Sequence, residues 1–405
     1  MRIAFLHTRF LPRGGIEGYI DGLARRLIAA GHEVHGFCHF AEPPVPEGLV
    51  LRRLPRPPLP RALDVLLFAE TARRAPARAG GFDIIHGFGK TYAQDVYTEA
   101  GGCLADVLEA TLPAAPSGLR RTLKRLGPHR RAVEWIERRR YGRPPGPLGT
   151  GHVLAVSRLC REQVERRYPG RSGTVEVLYP PVDATALAEA RAGKGRAALR
   201  ERLRVSPQEL LCLFVGSGYG RKGLAAFLGA IARLAAAGVR ARGVVLGRER
   251  PSVEAAFRAE AVSLGLGALV RFEGFSAEVP LYLAAADLLV LPTRFDAFGM
   301  VVLEAMAAGV PPVVSARAGA AEVVRDGETG AVVRDPLDAE ELAARIRALA
   351  PREVRAKVGV AAAREAGRFS WEANVRRVVE VYEAAAAEKR PDALTLAAPA
   401  TILPG

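Results

Sequence analysis

The sequence predicts an α/β protein built as two domains, each an open sheet of buried strands alternating with helices. Three observations carry this. Short apolar runs alternate with stretches of helical period along most of the chain. Two of those runs, Met1 to Thr8 and Leu210 to Val215, lead directly into glycine-bearing turns and then into helices. A chain of 405 residues is long for one core, so two domains of about 180 to 200 residues each are expected.

Composition narrows the class. Apolar residues make up 49% of the chain, yet no run of 18 lacks charge, so no transmembrane helix is expected. The opening run, Met1 to His7, is too short for a signal peptide, which predicts a cytosolic protein. Cys38, Cys103, Cys160 and Cys212 are widely spaced and suggest neither a zinc site nor a disulfide framework, in keeping with a reducing compartment. The formal charge of +15 invites a nucleic-acid reading. Arginine far outnumbers lysine, however, and alanine, glycine and proline abound, as a GC-biased genome would produce in any protein. Local clusters therefore weigh more than the total, and no nucleic-acid partner is predicted.

In order, Met1–Thr8 reads as a buried strand, Arg9–Gly18 as a loop and Tyr19–Ala30 as an amphipathic helix. Gly14 and Gly15 let backbone N–H groups approach a phosphate or sugar where a Cβ would collide; a plain tight turn is the competing reading. Glu33–Phe40 is a second strand and Pro43–Pro60 a surface passage without period. Phe82–Gly89 is a strand whose polar end would face the ligand crevice of an open sheet, making His86, Lys90 and Asp95 candidates to line it. A lone histidine is more often structural, and Asp95 could equally cap a helix.

From Gly118 to Arg143, Arg120, Arg121, Lys124, Arg125, Arg138, Arg139 and Arg140 stand among Trp135, Tyr141 and leucines. Such a segment fits an anionic membrane surface better than it fits a plain solvated helix. Strand His152–Ser157 and helix Arg158–Tyr168 follow, and Tyr179–Asp183 is a proline-stiffened connection between domains.

After strand Leu210–Val215 comes Gly216-Ser217-Gly218-Tyr219-Gly220-Arg221-Lys222-Gly223. It resembles a dinucleotide fingerprint, but Arg221 occupies the third glycine position and the next strand lacks its terminal acid, so NAD binding is rejected. A guanidinium and an ammonium at a helix start suit a diphosphate instead. Strand Leu288–Pro292 then runs into Asp296-Ala297-Phe298-Gly299-Met300-Val301 and a helix carrying Glu304. This turn sets free N–H groups and two carboxylates about a strand–helix junction, an arrangement able to hold a polyhydroxylated ligand. The carboxylate pair also raises glycoside hydrolysis, which their spacing and the diphosphate-directed loop argue against. Helices Asp338–Leu349, Glu353–Phe369 and Trp371–Glu388 close the chain, and the tail 390–405 is expected to be disordered.

Gly216-Ser217-Gly218 with Arg221-Lys222-Gly223, Ala284-Ala285-Ala286-Asp287, and Asp296 and Glu304 ahead of Ala305-Met306-Ala307-Ala308-Gly309 together resemble family 4 of the retaining nucleotide-sugar glycosyltransferases. Gly14-Gly15-Ile16-Glu17 agrees, and the likeness spans residues 1 to 388. His86-Gly87-Phe88-Gly89-Lys90 and Gln94-Asp95-Val96-Tyr97 are similar to the lipopolysaccharide-core glucosyltransferases within it.

The resemblance implies a GT-B fold: Rossmann-like domains 1–178 and 179–370 facing a cleft, with helix 371–388 crossing back to the first. It implies a UDP-sugar donor, no cofactor and no metal. Gly14, Gly15, Gly216, Arg221, Lys222, Asp296, Phe298, Gly299, Met300, Val301 and Glu304 would hold that donor. Asp95, Asp296 and Lys222 would serve the reaction, and Glu17, His86 and Lys90 the acceptor. The acceptor implied is lipid-linked, at the inner face of the membrane. One departure stands out: the family's usual first acid is glutamate, and Asp296 is shorter by about 1.5 Å, so activity is expected but the sugar preference is open. The alternatives are a GT-B glycosyltransferase with another donor, such as GDP-mannose, and another acceptor, or a sugar-nucleotide epimerase, which needs no acceptor.

Overall fold

The computed structural model describes residues 1–405 except 13, 112–126, 143–149, 172, 194 and 390–405. The tail expectation therefore lies outside the described residues.

The first sheet takes its strands from β1 (Arg2–Leu6), β3 (Glu33–Cys38), β5 (Val50–Arg53), β6 (Ile84–Gly87), β7 (Gln94–Glu99), β8 (Thr150–Ala155) and β9 (Thr174–Val177). A small ladder joins β2 (Arg9–Phe10) and β4 (Phe40–Ala41). The order is β5-β3-β1-β6-β7-β8-β9, with every pairing parallel. Ile3 to Leu6 are fully buried, as a central parallel strand covered by helices on both faces requires. Two expectations change here. The periodless passage 43–60 contains edge strand β5, whose Val50 pairs with His35. Gln94–Tyr97 begins a strand and caps no helix.

The second sheet is β12-β11-β10-β13-β14-β15, again all parallel. Its strands are β10 (Leu210–Val215), β11 (Ala241–Leu246), β12 (Val270–Gly274), β13 (Leu288–Leu291), β14 (Pro312–Ser315) and β15 (Ala331–Val333). Chain order reverses between β1 and β6 in one sheet and between β10 and β13 in the other. Helices flank such a reversal on opposite faces, so a crevice opens at the carboxyl ends of those strands. That topology brings forward four loops: 7–14, 88–93, 216–218 and 292–299.

Helix Trp371–Glu388 crosses back to the first domain. Its Tyr382 is fully buried, with its hydroxyl 2.6 Å from His86 Nδ1. Asn374 joins the Tyr19 hydroxyl and the Tyr179 carbonyl, each at 3.1 Å. The Trp371 ring stacks on Tyr19 at 5.8 Å, with the Arg26 guanidinium 4.1 Å away. Gly22 makes room for that indole: a Cβ there would lie 2.5 Å from the ring. No helix among the described residues is long and apolar enough to cross a membrane.

Candidate functional site

On the second domain, β10 ends at Val215 and, after Gly216–Gly218, the chain makes a single helical turn, Tyr219–Lys222, before Gly223. The diphosphate-directed loop is thus partly helical. Gly223 has φ +83°, and a Cβ there would sit 1.8 Å from the Pro292 carbonyl, so the β10 and β13 loops meet without a side chain between them. Lys222 consequently reaches the next loop and pairs with the Asp296 carboxylate, both side chains being largely buried. Arg221 leans the same way, its guanidinium 2.8 Å from the Phe295 carbonyl and its own carbonyl accepting from Arg294 N–H at 2.8 Å.

Helix Met300–Ala307 starts at Gly299, which takes φ +93° and lies close to Asp296. Glu304 projects from this helix, reached by solvent only in part. Protein crowding pushes its carboxyl up to about 7, and among the described residues it has no hydrogen-bond or ion-pair partner. A half-buried carboxylate without a partner is costly unless a ligand supplies donors. Across the cleft, Gly15 faces Met300, whose sulfur would be 4.0 Å from a Cβ on the glycine.

The first domain's rim is organised by a residue absent from the sequence reading. Glu99, at the end of β7, is buried and accepts the N–H groups of Gly101 and Gly102, each at 2.8 Å. Its other oxygen takes the Tyr141 hydroxyl and lies 3.8 Å from Arg140. Its partners join the adjacent glycine turn to Arg140 and Tyr141, about 40 residues on, and periodicity cannot reveal that pairing. Glu17 stands in the first turn of helix Gly15–Ala29, 2.7 Å from Arg9 and 4.0 Å from His7. Burial would raise its carboxyl, but the pull of His7 and Arg9 brings it below the ordinary range. Lys90 is solvent-exposed, and the surrounding protein and Arg140 depress its pKa.

A crevice between two such sheets, with Arg221 and Lys222 held against the loop that leads into the helix of Glu304, can take a phosphorylated, hydroxylated ligand, and comparison with known proteins agrees. Residues 195–366 match the group 1 glycosyl transferases and residues 13–186 match glycosyltransferase family 4. A D-inositol 3-phosphate glycosyltransferase of Geodermatophilus obscurus is 30% identical over 426 residues, covering 96% of this chain and 89% of that one. The chain belongs to the family 4 glycosyltransferases.

This glycosyltransferase is also 26% identical over 348 residues to the lipopolysaccharide glucosyltransferase WaaG of Escherichia coli, covering 84% of this chain and 87% of that one. The crystal structure of WaaG, a glycosyltransferase involved in lipopolysaccharide biosynthesis, superposes with a TM-score of 0.80 at 23% identity, covering 94% and 99% of the two chains. Anabaena HepE in complex with UDP-glucose gives 0.71 at 18% identity, covering 95% and 100%. Both likenesses establish the GT-B fold.

Three candidates of this glycosyltransferase lie away from the cleft. Asp95 opens β7, at the amino end of the sheet, where it accepts the Ile85 N–H at 2.7 Å and pairs with Lys389 at 2.5 Å. Parallel strands carry ligands at their carboxyl ends, so Asp95 ties the crossing helix down and is far from any reacting centre. His86 points into the core, between the Tyr382 and Thr98 hydroxyls at 2.6 and 2.8 Å. Burial holds it at about 3, neutral and shielded from an acceptor. Arg140 is buried, donating to the carbonyls of Thr91 and Gly89 at 2.8 and 2.6 Å with the Tyr97 ring 3.9 Å away, so it braces the rim and cannot meet a membrane. Arg120, Arg121, Lys124 and Arg125 lie outside the described residues.

Proposed function

We propose that the protein transfers a hexose, glucose, from a UDP-sugar to a heptose-bearing, lipid-linked acceptor of the lipopolysaccharide core, with retention of anomeric configuration and without a metal. Arg221 and Lys222 held against the Phe295–Asp296 loop, which leads into the helix whose Glu304 has no partner among the described residues, carry this reading. The ribose diol of a nucleotide would supply the donors that Glu304 lacks. Lys222 and Arg221 would take the diphosphate through charge-assisted bonds of ~1.5–3 kcal/mol each, which makes a cation beside the leaving group unnecessary. Lys222 already pairs with Asp296, so one ammonium can bridge the leaving phosphate and the acid that faces the sugar. In the reaction, the anomeric C–O bond to phosphate breaks through an oxocarbenium-like state. The acceptor hydroxyl bonds to the same carbon on the same face, and its proton passes to the departing phosphate oxygen.

The glucosyl and lipopolysaccharide parts rest on the likeness to WaaG. A second reading, transfer to a phosphorylated cyclitol, is supported by the relatives named D-inositol 3-phosphate glycosyltransferase. Residence at the inner membrane face is supported by the exposed face of helix Pro128–Tyr141, where Arg131, Trp135 and Arg138 reach solvent. Purified protein offered UDP-, GDP- and ADP-sugars, with a heptose-bearing core acceptor or inositol phosphate, tests these readings. Nucleotide release from UDP-glucose that depends on the core acceptor is expected. Release without any acceptor would favour the epimerase, and transfer kept within twofold in both Lys222→Ala and Glu304→Ala would overturn the site.

A further inference from the structure

The loop that carries Asp296 is supported from two sides by the start of one helix in the other domain. Ser157 caps helix Arg158–Arg167 through the Cys160 N–H at 3.1 Å, and its hydroxyl donates to the Ala297 carbonyl at 2.7 Å. Within its own domain, the loop is splinted by segment 317–320: Asp296 N–H to the Arg317 carbonyl at 3.2 Å, Gly319 N–H to the Asp296 carbonyl at 3.0 Å and Ala320 N–H to the Phe298 carbonyl at 2.8 Å. Two residues on, Glu322 reaches back across the cleft. Its two oxygens accept the N–H groups of Arg158 and Leu159, each at 2.8 Å, and the Tyr179 hydroxyl at 3.0 Å. The junction has no slack: a Cβ on Gly319 would lie 2.2 Å from the Ala297 carbonyl oxygen and 2.6 Å from Ser157 Cβ. Next to Asp296, the Phe295 ring fills the space that a Cβ on Gly102 would need.

We propose that Ser157 and Glu322 are positioning residues that couple contact between the two domains to the placement of Asp296; this rests on the glycosyl-transfer reading above. The side chains assigned to the nucleotide, Arg221, Lys222 and Glu304, stand on the second domain, with only the Gly14–Gly15 turn facing them from the first. Parting the domains removes the hydroxyl that holds Ala297 and the helix start that holds Glu322. It therefore frees the backbone on either side of Asp296 while leaving the side-chain contacts to the nucleotide in place. Donor binding and sugar transfer then respond differently to the same change.

The test compares wild type with Ser157→Ala, Glu322→Gln and Glu322→Ala in the full chain. It measures UDP affinity by calorimetry, transfer kcat and KM, and an interdomain distance by pulsed spin resonance. Labels go on Leu63→Cys and Val262→Cys, which replace exposed residues of the two domains, while the four native cysteines are buried. Expected are a broadened, lengthened distance in all three variants, UDP affinity within threefold of wild type, and kcat lower by about 10- to 100-fold, the scale of a misplacement near 1 Å. Glu322→Gln, which keeps one acceptor oxygen, should be milder than Glu322→Ala. An unchanged distance, an unchanged kcat with an opened distance, or UDP affinity falling in step with kcat would each overturn the coupling. If wild type transfers no sugar from any donor, the functional reading fails instead, and the distances still decide whether Ser157 and Glu322 hold the domains together.

Discussion

Glu304 concentrates the chemistry of the donor side in one group. Burial holds its carboxyl near 7, above the 4.5 of a free glutamate, so near neutrality it is only partly ionised. As a carboxylate it offers both oxygens to a ribose diol, and as an acid it gives up acceptor capacity. UDP affinity is therefore expected to rise between pH 6 and 8 in wild type, more than in Glu304→Gln, with a difference of about tenfold at pH 8, the lower end of a charged hydrogen bond. Calorimetry of both proteins across that range checks it; parallel curves would remove Glu304 from the nucleotide. The stability sign runs the other way. The unfolded chain loses this proton near 4.5 and the fold keeps it to about 7, so the group's contribution is present below 4.5 and lost as pH rises through 7. Glu304→Gln should accordingly melt higher than wild type at pH 8 and alike at pH 4.

Helix Pro128–Tyr141 shows how one element divides its work. Ala132, Val133 and Ile136 are buried with Val65 and Ala69 of helix Arg61–Arg78, so the apolar face that suggested a membrane surface is used by the core. Arg140 turns inward to the rim, whereas Arg138 pairs with Glu134 at the surface, and Trp135 is 41% exposed under the Arg139 guanidinium. Membrane affinity, where present, must come from the outer face. Trp135→Ala with Arg138→Ala should weaken salt-sensitive binding to anionic vesicles about tenfold, at ~1 kcal/mol per basic residue near the surface plus the lost indole, with little change in melting. Arg140→Met should do the reverse, lowering the melting temperature and leaving vesicle binding intact. Vesicle sedimentation beside thermal melts checks both, and equal binding to neutral vesicles would count against the surface.

In the whole molecule, the crossing helix makes the first domain depend on the end of the chain. His86 and Tyr382 are 296 residues apart and meet in the core. Because burial holds His86 near 3, the fold binds it neutral, while the unfolded chain takes up a proton near 6.5. Its contribution is complete above 6.5 and declines as pH falls below it. The urea midpoint of wild type should therefore drop from pH 7 to pH 5 by more than that of His86→Phe. Equal drops in the two would show that His86 is not the group responsible.

Pattern was enough to mark these elements: β10 and β13 are apolar runs ended by glycine or proline, and helix Trp371–Glu388 repeats its apolar residues at helical spacing behind the capping Ser370. Arg221, Lys222 and Asp296 could be named because charged residues in turns after buried strands stand out locally, whereas Glu304, inside a helix, was given its role by the family resemblance. Edge strand β5, with half its side chains in water, had no such contrast. Which end of a strand a residue occupies, and which way an arginine turns, depends on pairing between segments remote in sequence. So Asp95 and His86 looked like ligand groups, and Arg140 like a membrane contact, until the parallel register set Asp95 at the amino end of its sheet and buried the other two. Glu99, Ser157 and Glu322 became visible only in the fold, since each acts through backbone groups that the chain brings together on closing around the cleft.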